Sequence, residues 1–434
     1  MLAALLLSGV SLSALSTSAL AQATPPAPAA APAPAPSGPG LMIGDIKLSG
    51  QINAGFMLNP GSPNTGLNFG HSFTDRANAA QINQILLTAE KAIDKTSTEF
   101  QWGFKLQGMY GSDARFTQYL GVFNNALPYD RYQFDIVEAN LQMRLPVFSG
   151  GMDIKAGMYS TPLGYETIDP STNPFYSHSY TFQFGLPFKH TGLLTVSHVS
   201  DMVSIYAGID TGANTTFGPL GENNSALGGI AGFGLTFMEG KLSILALSHF
   251  GPENASRFLS PLGVNANSQW RFFNDILVTY KATEALTLVT EANWVRDNYG
   301  FNGRAVNGFG LVQYVSYALT DTLTLNARGE VWRDDNNYFV ASFSGNSDPV
   351  RFQQALPTRP VYAAPGTNTT YGSLTLGVTW KPELPTTAVA LAVRPEIRWD
   401  HAFTNNRPFG ANPLVGKRGS SDSFTFGADI VLSF

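Results

Sequence analysis

Residues 100–110 read FQWGFKLQGMY, and their side chains alternate between two kinds. The apolar or aromatic set consists of Phe100, Trp102, Phe104, Leu106, Gly108 and Tyr110. The intervening set consists of Gln101, Gly103, Lys105, Gln107 and Met109. Because successive residues of a β-strand point to opposite faces of the sheet, this stretch predicts a strand with one apolar and one largely polar face.

The same period of two recurs along the chain, for example over residues 323–331, 389–400 and 424–434. Lipid-facing barrels are built from segments of about ten residues that alternate in this way. We place sixteen such strands, at 45–57, 81–92, 99–110, 132–145, 151–160, 189–199, 201–211, 227–238, 241–250, 270–281, 285–296, 305–319, 321–333, 370–380, 388–401 and 422–434. Strands six to nine and twelve alternate less cleanly, so counts of fourteen and eighteen stay open.

Composition separates a membrane barrel from a soluble β-sandwich, which shows the same alternation. Charged residues make up 13% of the chain, against roughly 25% in soluble domains, which is too few to coat a large soluble surface. Aromatic side chains gather at strand ends, namely Phe100, Tyr110, Trp270, Tyr280, Trp380 and Trp399, as in the interfacial girdles of outer-membrane barrels. Past residue 21 no uninterrupted run of about 18 apolar residues occurs, so no transmembrane helix is expected. The predicted fold is an all-β, transmembrane antiparallel β-barrel.

Connection lengths support this prediction. Short connections at 146–150, 238–240 and 318–321 alternate with long ones at 58–80, 111–131, 161–188 and 334–369. Outer-membrane barrels pair short periplasmic turns with long external loops in this manner. Residues 161–188 are then predicted to be the third external loop.

The N-terminal residues are expected to lie outside the barrel. Residues 1–21 combine an apolar, small-residue run with Ala19-Leu20-Ala21, which is typical of a cleaved signal peptide, although no Lys or Arg precedes the run. A short membrane anchor is the alternative. Residues 22–44 are rich in Pro and Ala and predict a flexible linker. The barrel domain is then residues 45–434.

The last predicted strand carries alternating apolar side chains up to a terminal aromatic. Its apolar face consists of Phe424, Phe426, Ala428, Ile430, Leu432 and Phe434. This pattern resembles the signal that the outer-membrane assembly machinery reads, so we assign that role to Ile430, Leu432 and Phe434. An ordinary closing strand, paired with strand one, explains the same pattern, and both can hold together.

Four segments of the chain resemble the OmpL-like β-barrel porin-2 family. They are residues 87–91 (LTAEK), 104–113, 176–180 (YSHSY) and 185–192 (GLPFKHTG). The resemblance extends over most of residues 45–434 and implies solute passage across an outer membrane, with no catalytic residues to transfer. Lys189 stands where a small polar residue is expected, so no role is carried over for that position.

A pore constriction is the candidate site, because in sixteen-stranded porins generally the third external loop folds inward and narrows the pore. The third loop carries Glu166 and Asp169, with no basic residue following until Lys189. The polar faces of strands thirteen and fifteen carry three arginines, Arg328, Arg394 and Arg398. An acidic loop opposite a basic wall creates a transverse field that favours polar over apolar solutes. Alternatively, the arginines pair with Glu330, Glu396 and Asp400 along the wall and only solvate the lumen.

Other kinds of chemistry find little support in the sequence. The six histidines lack metal-ligand spacing, no HExxH, phosphate-loop or GxSxG motif occurs, and no basic cluster suggests nucleic acid. We therefore expect no enzyme, metal or cofactor. The predicted function is a water-filled channel for passive diffusion of small polar solutes and ions across the bacterial outer membrane. The partners are membrane lipid and the assembly machinery, and a homotrimer is expected by analogy with other porins. A structural or adhesive barrel is the runner-up. A barrel lipid hydrolase is third, since it needs Ser and His together on the outer wall, whereas the side chains of the adjacent pairs Ser197-His198 and Ser248-His249 point to opposite faces of their strands.

Overall fold

The computed structural model describes residues 39–119, 122, 131–216, 223–300, 303–340, 367–411 and 415–434. The predicted signal peptide and most of the predicted linker lie outside these ranges, so both stay predictions. No helix in the described ranges is long and apolar enough to cross a membrane.

The described residues form seventeen strands and three short α-helices. The strands are β1 (Leu41–Ile43), β2 (Ile46–Leu58), β3 (Ala79–Lys91), β4 (Gln101–Gly111), β5 (Gln133–Leu145), β6 (Met152–Ser160), β7 (Lys189–His198), β8 (Val203–Ala213), β9 (Gly228–Phe237), β10 (Leu242–Pro252), β11 (Trp270–Lys281), β12 (Leu286–Asp297), β13 (Val306–Ala318), β14 (Leu323–Asp334), β15 (Thr369–Trp380), β16 (Ala390–Ala402) and β17 (Asp422–Ser433). The helices are α1 (Ala114–Thr117), α2 (Tyr180–Gly185) and α3 (Ser256–Leu259).

Strands β2 to β17 form a closed antiparallel barrel of sixteen strands. Each strand pairs with the next along the chain, and β17 pairs with β2, where Ala428 stands opposite Phe56. The predicted fold class and strand count are confirmed, and no predicted strand end is displaced by more than about two residues. Closure satisfies the backbone groups of every strand, which lipid requires.

The short strand β1 departs from the predicted flexible linker of residues 22–44. It pairs antiparallel with the start of β2, so that Leu41 lies opposite Leu48. Gly44, at a φ of 63°, makes the tight turn between the two strands. The triplet Leu-Met-Ile contains no proline and keeps every backbone donor, so it can pair as a strand.

Long and short connections lie at opposite ends of the barrel. The eight long loops span residues 59–78, 112–132, 161–188, 214–227, 253–269, 298–305, 335–368 and 403–421, several of them only partly within the described ranges. The other end carries tight turns such as 199–202 and 319–322. Residues 161–188 are the third long loop, as predicted.

The outer face carries the apolar side chains of each strand, and the aromatic residues predicted at the strand ends are exposed there. Trp102, Trp270, Trp380 and Trp399 keep between 37% and 52% of their surface exposed. The Lys91 ammonium lies 3.9 Å from the centre of the Trp102 ring. Such rings suit the boundary between lipid and water.

The inner face is polar on most strands but apolar on part of β7 to β12. Leu194, Leu245, Leu277 and Val289 point inward and are buried. They pack within the lumen instead of facing water, and Leu245, Leu277 and Val289 belong to a core that includes Leu163 of the third loop. This explains why several of these strands alternate less cleanly in the sequence.

Candidate functional site

The third loop, residues 161–188, lies inside the barrel. Most of its aromatic side chains are almost fully buried, including Phe175, Tyr176, Tyr180 and Phe182. Phe182 and Phe188 pack on Phe73 of the first long loop, with ring centres 5.5 and 5.7 Å apart. The loop and the first long loop therefore share an aromatic core within the outer half of the barrel.

Two carboxylates of the barrel wall bind the backbone of the third loop. Glu330 of β14 accepts N–H groups from Tyr180 and Thr181, at 2.8 and 2.7 Å. Glu396 of β16 accepts N–H groups from Tyr176 and Ser177, at 2.9 and 3.1 Å. Buried backbone donors need such acceptors, and the Glu330 contacts fall on the first turn of α2, whose amides have no partner within the helix.

The three predicted wall arginines bind the carbonyl oxygens of the same loop. Arg394 donates to the carbonyls of residues 170 and 173, at 2.6 and 2.7 Å. Arg398 donates to the carbonyl of residue 178 at 2.6 Å, and Arg328 to that of residue 177 at 2.8 Å. The structure thus brings Arg328, Arg394 and Arg398 against the third loop, where their donors hold its main chain.

Each of these arginines also has a carboxylate partner. Arg398 pairs with Asp400 at 2.7 Å, as in the wall-pairing alternative, whereas Arg394 pairs with Asp429 of β17. Arg328 reaches Glu166 of the loop itself at 2.7 Å. Because a buried charge needs a partner of opposite charge, these carboxylates compensate the charges of the three arginines.

Glu166 has the densest set of contacts in the loop. Its carboxylate accepts from Arg328, from the Tyr314 hydroxyl at 3.1 Å and from the Ser179 N–H at 3.0 Å, and it lies 2.9 Å from His178 Nδ1. Burial alone raises the pKa of Glu166, but the Arg328 charge and these hydrogen bonds outweigh it and bring the pKa to about 2. The carboxylate is therefore ionised at neutral pH.

Asp169 and Lys189 occupy other positions. Asp169 caps the short 3₁₀ turn Pro170–Thr172 and accepts from Gln51 Nε2 of β2 at 3.1 Å. Lys189 lies at the start of β7, where Nζ donates to Asp135 of β5 at 2.6 Å. Its ammonium also sits 3.9 Å from the Tyr119 ring centre, so Lys189 is bound to the wall and second loop and not to the acids of the third.

A second group of charges, which the sequence reasoning did not single out, lies on the inner wall of β2 to β6. Glu90 on β3 stands opposite both Lys47 and Lys105. Lys155 on β6 stands opposite Gln142 on β5. All four charged side chains are partly exposed. Lys105 belongs to the polar set of residues 100–110, so the alternation predicts that it points inward. The alternation does not predict which residues of the neighbouring strands lie beside it.

The sequence reasoning also missed a buried group at the outer end of the barrel. His190, Asp210 and His249 come from β7, β8 and β10 and bring their nitrogen and oxygen atoms within 4.8 Å of one another. Metal-ligand spacing along the chain cannot reveal such a group, because the three residues meet only through strand pairing.

Comparison with known proteins identifies the family. The family model described as "Putative beta-barrel porin-2, OmpL-like" matches residues 45–434. A search of curated proteins found no match.

Solved structures share the fold at low sequence identity. The outer membrane channel DcaP of Acinetobacter baumannii is 12% identical with a TM-score of 0.52, covering 90% of this chain and 97% of its own. The anion-selective porin of Comamonas acidovorans is 10% identical with a TM-score of 0.52, covering 90% and 99%. Pseudomonas putida OprB is 14% identical with a TM-score of 0.52, covering 92% and 99%. With its family match and its closed sixteen-stranded barrel, the chain belongs to the OmpL-like β-barrel porin-2 family of bacterial outer-membrane porins.

Proposed function

We propose that this porin forms a water-filled channel through which small polar solutes and ions diffuse passively. The observation that carries the proposal is the third loop, which lies inside the closed barrel and is held by charged groups of the wall. A loop fixed in this position narrows the lumen without an element that must move. Passage then depends on the size and charge of the solute.

We further propose that Glu166, Asp169, Lys189, Arg328, Arg394 and Arg398 shape the constriction. In this proposal the arginines act mainly by fixing the path of the loop, since their donors are used on its carbonyls and on carboxylates. Asp169 is the half-buried acid of the set, so its carboxylate is the one that a solute can approach.

Single-channel recording in planar bilayers tests the proposal. Purified protein is expected to give defined conductance steps, and a barrel that gives none is not a channel. The variants Glu166→Gln and Asp169→Asn are expected to change the conductance or the ion preference. If neither quantity changes in either variant, the third loop has no part in selection.

Lipid hydrolysis is less well supported than transport. His198 lies 2.9 Å from the Ser204 hydroxyl and 3.2 Å from Asp153, in the order of a Ser-His-Asp arrangement. His198 and Ser204 are buried on the inner face, whereas a lipid ester lies outside the barrel. Lipase activity that a serine-directed inhibitor abolishes would favour hydrolysis. An adhesive role rests on the long loops, and the seventh lies largely outside the described residues.

We also infer a homotrimer, and an encounter with the outer-membrane assembly machinery through Ile430, Leu432 and Phe434. The trimer is supported by analogy with sixteen-stranded porins. The assembly role is supported by the outward position of Ile430 and Phe434, which keep 44% and 42% of their surface exposed. Chemical cross-linking in detergent tests the trimer, with a single band at monomer size as the contrary result.

A further inference from the structure

The buried group His190, Asp210 and His249 has the composition and spacing of a metal site. Asp210 Oδ2 lies 3.0 Å from His190 Nδ1, and Asp210 Oδ1 lies 3.1 Å from His249 Nε2. The two imidazole rings are 4.8 Å apart between centres, and all three side chains are 0% exposed. Two imidazole nitrogens and one carboxylate thus converge on one small region.

Strand pairing explains how the side chains meet. Asp210 on β8 is paired with Gly228 on β9, and the next strand, β10, carries His249. A Cβ atom on Gly228 would stand 2.7 Å from Asp210 Oδ1 and 3.1 Å from His249 Nε2. The glycine therefore leaves open the space between the carboxylate and the imidazole, where any side chain would intrude.

The surroundings of the two imidazoles also suit metal ligation. A histidine that binds metal through one nitrogen usually directs the other nitrogen at an oxygen. His190 Nε2 lies 3.0 Å from the Thr161 hydroxyl, and His249 Nδ1 lies 3.8 Å from Glu253 Oε1. Both atoms of the latter pair are buried without a hydrogen-bond partner among the described residues. A metal that draws the His249 ring to itself would fix its orientation relative to Glu253.

We propose that His190, Asp210 and His249 bind one Zn²⁺, with Thr161 and Glu253 orienting the two imidazoles. Zinc accepts imidazole nitrogen and carboxylate oxygen together, whereas Ca²⁺ and Mg²⁺ prefer oxygen ligands throughout. The ion would join β7, β8 and β10 to the first residues of the third and fifth loops. Zinc binding at this site does not depend on which solute the channel passes.

Zinc uptake by the full-length, folded barrel in detergent tests the proposal. After chelator treatment and dialysis, the chain is expected to bind one Zn²⁺, with an affinity measured by competition with a chromophoric chelator. Asp210→Asn and His249→Gln are expected to lose this binding. His198→Gln is the matched control, because His198 is also a buried inner-face histidine paired with a carboxylate, Asp153, and should bind zinc like the unaltered chain.

The role of Glu253 gives a graded outcome. Glu253→Gln keeps all three ligands and is expected to weaken zinc about 10- to 100-fold, as the loss of an orienting carboxylate does elsewhere. Zinc binding that is absent in the unaltered chain, or unchanged in both ligand variants, overturns the proposal and leaves a hydrogen-bonded His-Asp-His group.

Migration of unheated samples in detergent gels reveals variants that fail to fold. A second measurement therefore tests the site in the unaltered chain alone. Co²⁺ added to the unaltered chain is expected to give the visible absorption bands of a low-coordinate nitrogen and oxygen site, and equimolar Zn²⁺ should abolish them. A spectrum that matches aqueous Co²⁺ contradicts the proposal without any variant.

Discussion

At the scale of single residues, Arg328 joins the wall to the third loop. It is fully buried and contacts both the Glu166 carboxylate and the carbonyl of residue 177. A charge so placed is costly to bury alone but is compensated by its partners. Removing one member of the pair therefore matters more than removing both.

Arg328→Met is expected to destabilise the barrel by about 3–5 kcal/mol, because it leaves the ionised Glu166 buried without its partner. Denaturant unfolding measures the loss, and single-channel recording should show a larger and noisier conductance as the loop detaches. The double variant Arg328→Met with Glu166→Gln should regain part of the stability. A double variant no more stable than Arg328→Met would show that the charge pair is not the cause.

Asp113, just beyond β4, predicts a dependence on pH. Burial raises its pKa to about 7, although hydrogen bonds from Gln84 and Asn83 oppose the shift. The folded chain therefore keeps this proton up to about pH 7, whereas the unfolded chain releases it near pH 3.8. The stabilisation is complete below about pH 4 and is lost as pH rises through 7.

The free energy of unfolding is accordingly expected to fall between pH 5 and pH 8 by more in the unaltered chain than in Asp113→Asn. Chemical denaturation at several pH values measures the difference. Asp94→Asn is the control, since Asp94 lies in an exposed turn and hydrogen bonds from Thr96 lower its pKa, outside this window. Equal slopes for the unaltered chain and Asp113→Asn would exclude Asp113 as the source.

At the scale of strands, the sequence predicted far more than it did for the site. Period two reports which side chains point inward, and turn residues bound each strand, so the sixteen barrel strands could be placed closely. The same period does not tell whether an inward side chain meets water, a loop or another strand. Leu245 and Arg328 both point inward and are buried, yet the local sequence does not tell which distant residues surround either side chain. The Glu166–Arg328 contact joins residues 162 positions apart, beyond any local pattern.

The last strand, β17, carries the prediction about assembly. Phe434 exchanges backbone hydrogen bonds with Gly50 at 2.7 and 2.9 Å, while its ring keeps an exposed face. Phe434→Ala leaves these backbone bonds possible. We therefore expect less folded barrel in cells but near-normal refolding into detergent, measured by gel migration of unheated samples.

Phe424→Ala is the matched control for this experiment. It lies on the same outward face of β17, with 51% of its surface exposed, but at the opposite end of the strand. Reduced yields of equal size in both variants, or a refolding defect in Phe434→Ala alone, would favour a purely structural role for the terminal ring.

At the scale of the whole molecule, each of the six arginines buried within the described residues pairs with a carboxylate. The partly exposed charges on the inner wall of β2 to β6 are Lys47, Lys105 and Lys155 against Glu90 and Asp153, and Asp153 pairs with the buried Arg144. Fixed charges that line the lumen act on a solute more directly than the net charge of the chain, which is −5. This arrangement predicts a preference for anions.

The double variant Lys105→Gln with Lys155→Gln is expected to move the reversal potential in a salt gradient towards cation preference. Lys241→Gln, in an exposed turn between β9 and β10, is the control and should leave the potential unchanged. A reversal potential that is cation-selective in the unaltered chain, or insensitive to the double variant, would contradict the prediction.

The contacts that Glu330, Glu396, Arg394 and Arg398 make with the third loop have a consequence for how such channels can diversify. These wall residues bind N–H and carbonyl groups of the loop main chain. Every residue type offers both groups except proline, which lacks the N–H. The barrel thus holds a path of main chain and is indifferent to many of the side chains along it. Loop side chains that face the solute can be exchanged, by natural drift or by design, while the third loop keeps its position inside the barrel. The wall residues fix the position of the loop, and substitutions within the loop can change the selectivity of the channel.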